Sequence, residues 1–290
     1  MRVFFCMVSK KRPSNCKHMK LISRSILFWL VFTALLYFSS SLLLHLFTGK
    51  TEQFAFGVIG SIVAYLVIWG FLKIDKSTYM EIGLVWQSGS IFRFFKGILI
   101  GTVIFFILVL LLKNFTELQF QHNPRGIDLA TMLGYLIFFP LALMEELAFR
   151  SYPFIKLKKR YGIWVAQLIV AIAFALYHIV YGWSVYSAFS GPFVWAFVFG
   201  IAAIWSGGIA MPLGIHMAVN ILQPMTGMKG EEHSLWILDY KTGTPEDLIA
   251  RTDTVTLIIQ ILILCGAIIA TEMYLKRTRK LVLKNEALLK

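Results

Sequence analysis

The stretch MEELAFR, residues 144–150, places two adjacent glutamates directly after the apolar run GYLIFFPLAL. A charged side chain in the middle of a membrane-spanning helix costs roughly 2.5–3.5 kcal/mol on insertion scales, so such residues are first candidates for function. Glu146 and Arg150 are four residues apart, with the acid first, and this spacing favours an ion pair on one helix face. Glu145 is rotated by about 100° from Glu146. Its carboxylate therefore needs a partner on another helix, or is available for chemistry.

His178 is the candidate partner for Glu145. The midpoint between positions 145 and 178 falls in the sequence KLKKRYG, which is typical of a helix end with a glycine stop. If the fourth helix continues to about Lys159 and the fifth begins near Ile163, the two form an antiparallel hairpin. Glu145 and His178 then lie level with each other, about 25 Å from the tip.

His216 and Asn220 are also four residues apart, and they share one face of a later apolar segment. Their distance from the Ser-Gly-Gly turn at 206–208 places them near the depth of Glu145 and His178. A carboxylate and an imidazole can polarise a water molecule. An imidazole and an amide can donate hydrogen bonds to an oxyanion, or His216 can bind a metal ion.

Each of these features also has a purely structural interpretation. An intramembrane pair such as Glu146 and Arg150 is often a structural ion pair. A single histidine in a span, such as His178 or His216, often makes only a hydrogen bond between helices, and Asn220 taken alone is weaker still. The convergence of four polar groups from three helices is what favours chemistry over structure.

The elements that must position these residues are transmembrane helices. The chain has 290 residues, of which 58% are hydrophobic and only 15% are charged, a composition that is rare in soluble domains. A span needs roughly 20 apolar residues, and the third candidate is short enough that we expect it to extend into its flanks. The sequence therefore predicts an all-α polytopic membrane protein with about eight spans. They are 26–47, 54–72, 97–112, 129–149, 163–181, 188–206, 209–225 and 254–275.

The net charge of +13 comes from the segments between the spans and does not indicate nucleic-acid binding. With the N-terminus inside, the inside segments hold 22 of the 28 Lys and Arg residues. This positive-inside bias predicts that both termini are cytoplasmic. The inside segments are 1–25, 73–96, 150–162, 207–208 and 276–290.

One membrane domain is the simplest organisation, because the chain shows no repeat and no proline-rich linker. Cys6, Cys16 and Cys265 form no disulfide framework. Translation can start at Met1 or at Met19. From the N-terminus, we expect a basic cytoplasmic tail (1–25), N-terminal helices (26–112), a catalytic core (129–225), an external loop (226–253), and a last helix with a basic tail (254–290).

The pattern of EELAFR, FALYH and HMAVN, in this order and inside spans, resembles the CPBP family of intramembrane proteases. The motifs cover residues 145–150, 174–178 and 216–220. The family includes CAAX prenyl endopeptidases of the Rce1-like type, bacteriocin-processing proteins and abortive-infection proteins. The resemblance extends over roughly residues 130–225.

The resemblance implies an intramembrane endopeptidase that hydrolyses a membrane-associated or lipidated peptide or protein. By similarity, Glu145 activates water with the help of His178, and His216 and Asn220 stabilise the oxyanion. Glu146 and Arg150 would hold the geometry of the site. The family is often labelled as metalloproteases, and Glu145, His178 and His216 would be the ligands of a zinc ion. Because HExxH is absent, we favour a mechanism without a metal.

Two alternatives remain open. The first is a non-catalytic membrane scaffold or bacteriocin-immunity protein with a structural polar core. The second is a proton- or ion-coupled transporter, but we find no inverted repeats of the kind that this class shows. The expected partners are the lipid bilayer and a membrane-associated substrate, with no nucleic acid. We expect a multi-pass protein, in the plasma membrane if the cell is bacterial, with its active site open to the cytoplasm. The sequence does not identify the substrate, the organism or the oligomeric state.

Overall fold

The computed structural model describes residues 15–126, 128–230 and 234–288. The first 14 residues, including Met1 and Cys6, lie outside this part, and so do the side chains of Cys16 and Met19. The described chain is a helical bundle with one small sheet. The helices are α1 (Asn15–Leu43), α2 (Gly49–Asp75), α3 (Ser90–Phe115), α4 (Leu129–Gly134), α5 (Phe138–Arg150), α6 (Tyr152–Tyr161), α7 (Ile163–Val180), α8 (Val185–Ser190), α9 (Pro192–Ser206), α10 (Ala210–Met225) and α11 (Glu246–Leu288); the strands are β1 (Leu118–His122) and β2 (Trp236–Tyr240).

Seven stretches of the described chain are long and apolar enough to cross a membrane. The all-α polytopic class is thereby confirmed, and the short third candidate extends into its flanks to form the 26-residue α3. The remaining predicted span, 209–225, corresponds to α10, which has 16 residues and a length of about 24 Å. This helix is buried along most of its length, so neighbouring helices surround much of it.

The fourth span differs from the continuous helix that the sequence predicts. It breaks at Ser151, between α5 and α6, where the backbone leaves helical geometry (φ −97°, ψ −111°). The cause is Pro153, because proline has no N–H to donate and its ring collides with the carbonyl four residues earlier. The hydroxyl of Ser151 donates to the carbonyl of Leu147. Chain direction reverses after α6 at Gly162, a glycine with φ +87°, as the sequence indicates.

The external connection contains a sheet that the sequence does not predict. β1 and β2 pair antiparallel, with Phe120 opposite Leu238, and the side-chain amide of Asn123 donates to the carbonyl of Ser234. The pairing joins the connection after α3 to the connection after α10. We call this end of the bundle the hairpin face.

The opposite end carries the basic segments, and we call it the basic face. The carboxylate of Asp75, at the end of α2, forms ion pairs with Arg24 of α1 and Lys156 of α6. The ammonium of Lys159 donates to the carbonyl of Glu81. These contacts join three spans and the connection between α2 and α3 at one end of the bundle.

The helix that carries His216 packs very closely against α3. A Cβ atom added at Gly97 would lie 2.2 Å from the carbonyl oxygen of Met211, and one at Gly214 would lie 2.1 Å from that of Phe94. Only glycine leaves room for such an approach of two backbones. α3 therefore sets the position of α10 in the bundle.

Candidate active site

Glu145 of α5 and His178 of α7 face each other. The Oε1 atom of Glu145 lies 3.9 Å from Nε2 of His178. Their side chains are 15% and 13% exposed, respectively, so both are largely buried and still accessible. The hairpin centred near Gly162 thus brings the acid and the imidazole to the same level in spite of the break at Ser151.

The backbone of α7 selects one tautomer of His178. Its Nδ1 lies 2.8 Å from the carbonyl oxygen of Phe174, one turn earlier. A carbonyl can only accept a hydrogen bond, so Nδ1 carries the hydrogen. In a neutral ring, Nε2 is then an acceptor that faces the carboxylate of Glu145. A separation of 3.9 Å is too long for a direct hydrogen bond, but it leaves room for a water molecule that donates to both.

His216 of α10 lies between the two glutamates. Its Nδ1 is 2.9 Å from Oε1 of Glu146, and its Nε2 is 3.6 Å from Oε2 of Glu145. The ring also stacks on Phe199 of α9, with 4.5 Å between centroids and 16° between planes. The carboxylate of Glu146 and the stacked ring of Phe199 hold the imidazole with Nε2 directed at Glu145.

The predicted ion pair between Glu146 and Arg150 is present and completely buried. Nε of Arg150 lies 3.5 Å from Oε2 of Glu146, and both side chains are 0% exposed. The guanidinium lies between the rings of Phe174 and Phe199, 4.3 Å and 4.9 Å from their centroids. Attraction between a cation and an aromatic face offsets part of the desolvation cost of the arginine.

The four polar groups border one cavity of about 350 Å³, a size typical of ligand sites. Asn220, one turn after His216 on α10, lines the same wall. Most of the remaining lining is aromatic or apolar. The lining residues are Phe56, Phe138, Leu141, Met144, Glu145, Phe174, Tyr177, His178, Tyr181, Trp183, Gly191, Pro192, Trp195, Phe199, His216, Val219, Asn220, Gln223, Lys229 and Gln260.

This cavity extends toward the hairpin face. Its outer lining includes Tyr181 and Trp183, just after α7, and Lys229, just after α10. The sequence predicts cytoplasmic termini together with a cytoplasmic opening. The outer lining of the cavity and the basic segments lie at opposite ends of the bundle. The termini and the opening of the cavity therefore cannot both be cytoplasmic.

Lys229 is a cation in the wall that the sequence motifs do not include. Its Nζ lies 5.8 Å from the centroid of Phe138. Although the residue is exposed, loss of hydration lowers the pKa of the ammonium, and the nearby carboxylate of Glu145 opposes this shift. Nothing in the spacing of the motifs indicates this residue, because it lies outside them, in the connection after α10.

The suggested zinc ligands do not form a metal site. Among the described residues, no group of three or more His, Cys, Asp and Glu side chains is arranged to hold a metal ion. Nδ1 of His216 forms a hydrogen bond with the carboxylate of Glu146, and Nδ1 of His178 donates one to the carbonyl of Phe174. These hydrogen bonds leave Nε2 of both imidazoles facing Glu145, but the three side chains are not arranged to hold an ion, and no step is derived through a metal.

A second cavity, of about 460 Å³, lies between α1 and α7. Its lining is apolar apart from Thr33 and the hydroxyl of Tyr177, and it contains no carboxylate, imidazole or amide. It therefore lacks groups for acid–base chemistry. The cavity that contains Glu145 is the candidate active site.

Residues 125–222 match the model of one family, described as type II CAAX prenyl endopeptidase Rce1-like. This segment is similar to the Rce1-like domain. It contains all three motifs, so the resemblance inferred from them is confirmed. The match covers about a third of the chain. No curated protein matches the chain.

The Rce1-like domain supports a CAAX-type intramembrane protease at the level of the family. The helices that could cross a membrane fit the same class. Several cavity residues lie outside the domain, notably Phe56, Lys229 and Gln260. The rest of the chain therefore contributes part of the cavity wall.

Proposed function

We propose that this protein is an intramembrane endopeptidase that hydrolyses a peptide bond in a membrane-associated or lipidated peptide or protein. The observation that carries the proposal is the position of Glu145 between two imidazoles, 3.9 Å from Nε2 of His178 and 3.6 Å from Nε2 of His216. All three side chains line one accessible cavity.

Glu145 is the general base in this proposal. A water molecule between Glu145 and His178 donates one hydrogen bond to the carboxylate and one to Nε2 of the imidazole. The carboxylate accepts a proton as the water oxygen attacks the carbonyl carbon of the scissile bond. Collapse of the tetrahedral intermediate breaks the C–N bond, and Glu145 returns the proton to the departing amine.

His216 and Asn220 stabilise the oxyanion. Both lie on α10, one turn apart, and both face the cavity that holds Glu145. A protonated His216 donates from Nε2, and the amide of Asn220 donates from its nitrogen. Donors that are already in place for the developing charge need no reorganisation during the reaction, which is a large source of rate acceleration.

Glu146 and Arg150 act through His216. The carboxylate of Glu146 accepts from Nδ1 of His216 and is paired with the buried guanidinium. This leaves Nε2 directed at the reacting atoms. The buried guanidinium holds this carboxylate in place as the partner of His216.

The proposal is tested with purified protein and a panel of lipidated and leader-containing peptides. The wild type is compared with Glu145→Gln, which keeps the shape of the side chain but cannot accept a proton. The matched control is Glu52→Gln at the exposed start of α2. We expect cleavage to disappear in Glu145→Gln and to remain in Glu52→Gln, as followed by mass spectrometry of the products.

Two results would contradict the proposal. Cleavage that persists in Glu145→Gln would remove Glu145 from the role of base. If the wild type cleaves no peptide and Glu145→Gln supports the same cellular phenotype as the wild type, the scaffold or immunity alternative is correct.

A further inference from the structure

The candidate active site reaches from the middle of the bundle to the helix ends at the hairpin face. His178 is two residues from the end of α7, and about 22 Å of helix separates it from the start of α7 at the basic face. Phe138 begins α5 and Pro192 begins α9, both at the hairpin face. The chain segments that turn at the basic face contribute no residue to the described lining.

The floor of the cavity is closed toward the basic face. One turn beyond Glu146 lies the buried guanidinium of Arg150, held between Phe174 and Phe199. Phe149 packs on Phe174 in the next layer, with 4.9 Å between ring centroids. These four side chains are almost inaccessible. This packed layer separates the cavity from the basic face.

A second closure lies below the turn between α9 and α10. The carbonyl of Gly83 would lie 2.8 Å from a Cβ atom at Gly208, so the connection between α2 and α3 packs directly on this turn. Ile82, next in the connection, is fully buried. A separate cavity of about 300 Å³ lies at this turn, with Gly83, Gly208 and Leu213 in its lining, and it shares no lining residue with the cavity that contains Glu145.

The charges decide which side of the membrane each face meets. Among the described residues, 17 Lys and Arg belong to the segments of the basic face and 6 to those of the hairpin face. Basic segments between spans remain preferentially in the cytoplasm. The basic face is thus cytoplasmic, and the hairpin face is on the other side.

We propose that the active site opens to the non-cytoplasmic side and takes peptide segments that are presented there. The inference rests on the proposed function only in that the cavity is the place of hydrolysis. The class of substrate is a polypeptide that has already reached the far side of the membrane, or a loop or terminus of a membrane protein exposed there. This replaces the cytoplasmic opening expected from the sequence and keeps the cytoplasmic termini.

The test measures the side from which a thiol inside the cavity can be reached. Cys6, Cys16 and Cys265 are replaced by serine, and single cysteines are added to the full chain. Asn220→Cys reports the cavity, and Lys241→Cys, after β2, reports the hairpin face. Arg277→Cys reports the basic face, since it is exposed near the end of α11. Each variant is treated with a charged, membrane-impermeant methanethiosulfonate in sealed right-side-out and inverted vesicles.

We expect Asn220→Cys and Lys241→Cys to react in right-side-out vesicles and Arg277→Cys to react in inverted ones. Reaction of Asn220→Cys together with Arg277→Cys would overturn the direction of the opening. Reaction of Lys241→Cys in inverted vesicles would overturn the assignment of sides. If Asn220→Cys does not accumulate, Gln223→Cys on the same wall replaces it, and a cavity thiol that reacts from neither side contradicts an open mouth.

The labelling result does not depend on catalysis. If Glu145→Gln retained full hydrolysis while Asn220→Cys reacted from outside, the proposed base would be wrong and the opening would stand. If Asn220→Cys reacted from inside while Glu145→Gln was inactive, the opening would be wrong and the enzyme would stand.

Discussion

Nδ1 of His216 lies 2.9 Å from Oε1 of Glu146, whose side chain is fully buried, while that of His216 is 8% exposed. The two glutamates of MEELAFR therefore have different surroundings. Glu145 lies in the cavity with one carboxylate oxygen near each imidazole. Glu146 lies behind His216 and fixes its ring. In the proposed mechanism, one of these two identical residues takes part in the reaction and the other orients His216.

This division predicts the effect of Glu146→Gln. An amide at this position can present its NH₂ group to Nδ1 and turn the hydrogen of the imidazole toward the wrong nitrogen. We expect kcat to fall by about 10²–10⁴-fold, by analogy with the loss of the orienting carboxylate in a hydrolytic triad, while KM changes little. Steady-state kinetics on one cleaved peptide would measure kcat and KM separately for the wild type and the variant.

The matched control for that variant is Glu272→Gln, in which an exposed glutamate of α11 that accepts from Trp164 is changed in the same way. We expect wild-type kinetics there. An unchanged kcat in Glu146→Gln would show that the contact with His216 is structural only. Thermal unfolding of both variants separates a rate effect from a loss of folded protein.

Asn220 offers a separate test of oxyanion stabilisation. Asn220→Ala removes one donor from the cavity wall, and loss of one such donor typically lowers kcat by about 10²–10³-fold. Gln223→Ala is the comparison, because this amide lines the same cavity closer to its mouth. We expect Gln223→Ala to alter KM more than kcat. Equal kcat values for Asn220→Ala and the wild type would remove Asn220 from the mechanism.

We expect the largest loss of stability when Arg150 is replaced. Replacement by Met leaves the buried carboxylate of Glu146 without its cation, which typically destabilises a protein by about 3–5 kcal/mol. The double variant Glu146→Gln, Arg150→Met removes both charges, and we expect it to unfold at a higher temperature than Arg150→Met alone. Unfolding in detergent, followed by circular dichroism, gives the comparison.

The control for the arginine is Arg277→Met, in an exposed position near the end of α11. Changes of surface charge usually alter stability by less than about 1 kcal/mol. An Arg150→Met protein as stable as Arg277→Met would show that the buried pair does not hold the fold together. A double variant less stable than Arg150→Met would contradict the charge argument.

Much of this arrangement could be predicted from local spacing, and the remainder could not. Two spans connected by a glycine stop must run antiparallel, so the approach of Glu145 to His178 follows from counting residues. The i, i+4 pair of Glu146 and Arg150 follows in the same way. The hydrogen bond from His216 to Glu146 does not, because it depends on the rotation of α10 about its own axis, and that is set by packing against α3.

The same limit explains the other differences. The pairing of β1 with β2 joins segments more than 110 residues apart. The sequence of β1, LQFQH, alternates, but that of β2, WILDY, does not, so nothing in the sequence indicates the pairing. Pro153 in the fourth span does signal a break, since proline disrupts the preceding turn. The side of the membrane to which the cavity opens depends on which helix ends line it, and the charge distribution locates only the loops.

The close contact between α3 and α10 gives the last prediction, because it links a residue far from the cavity to the catalytic geometry. Gly97→Ala would place Cβ 2.2 Å from the carbonyl oxygen of Met211, a rigid backbone atom. The helices must separate, and overpacking of this kind costs about 1–3 kcal/mol. Since α10 carries both His216 and Asn220, we expect kcat to fall along with the unfolding temperature.

Gly70→Ala is the matched control, since a Cβ atom at this helical position of α2 meets nothing within 4 Å. Alanine is favoured over glycine inside a helix by about 0.5–1 kcal/mol, so this variant should be as stable as the wild type or slightly more stable, with the same kcat. Thermal unfolding and peptide hydrolysis are measured on both variants. If Gly97→Ala behaves like Gly70→Ala, then α3 does not set the position of α10, and the orientation of His216 has to come from Glu146 and Phe199 alone.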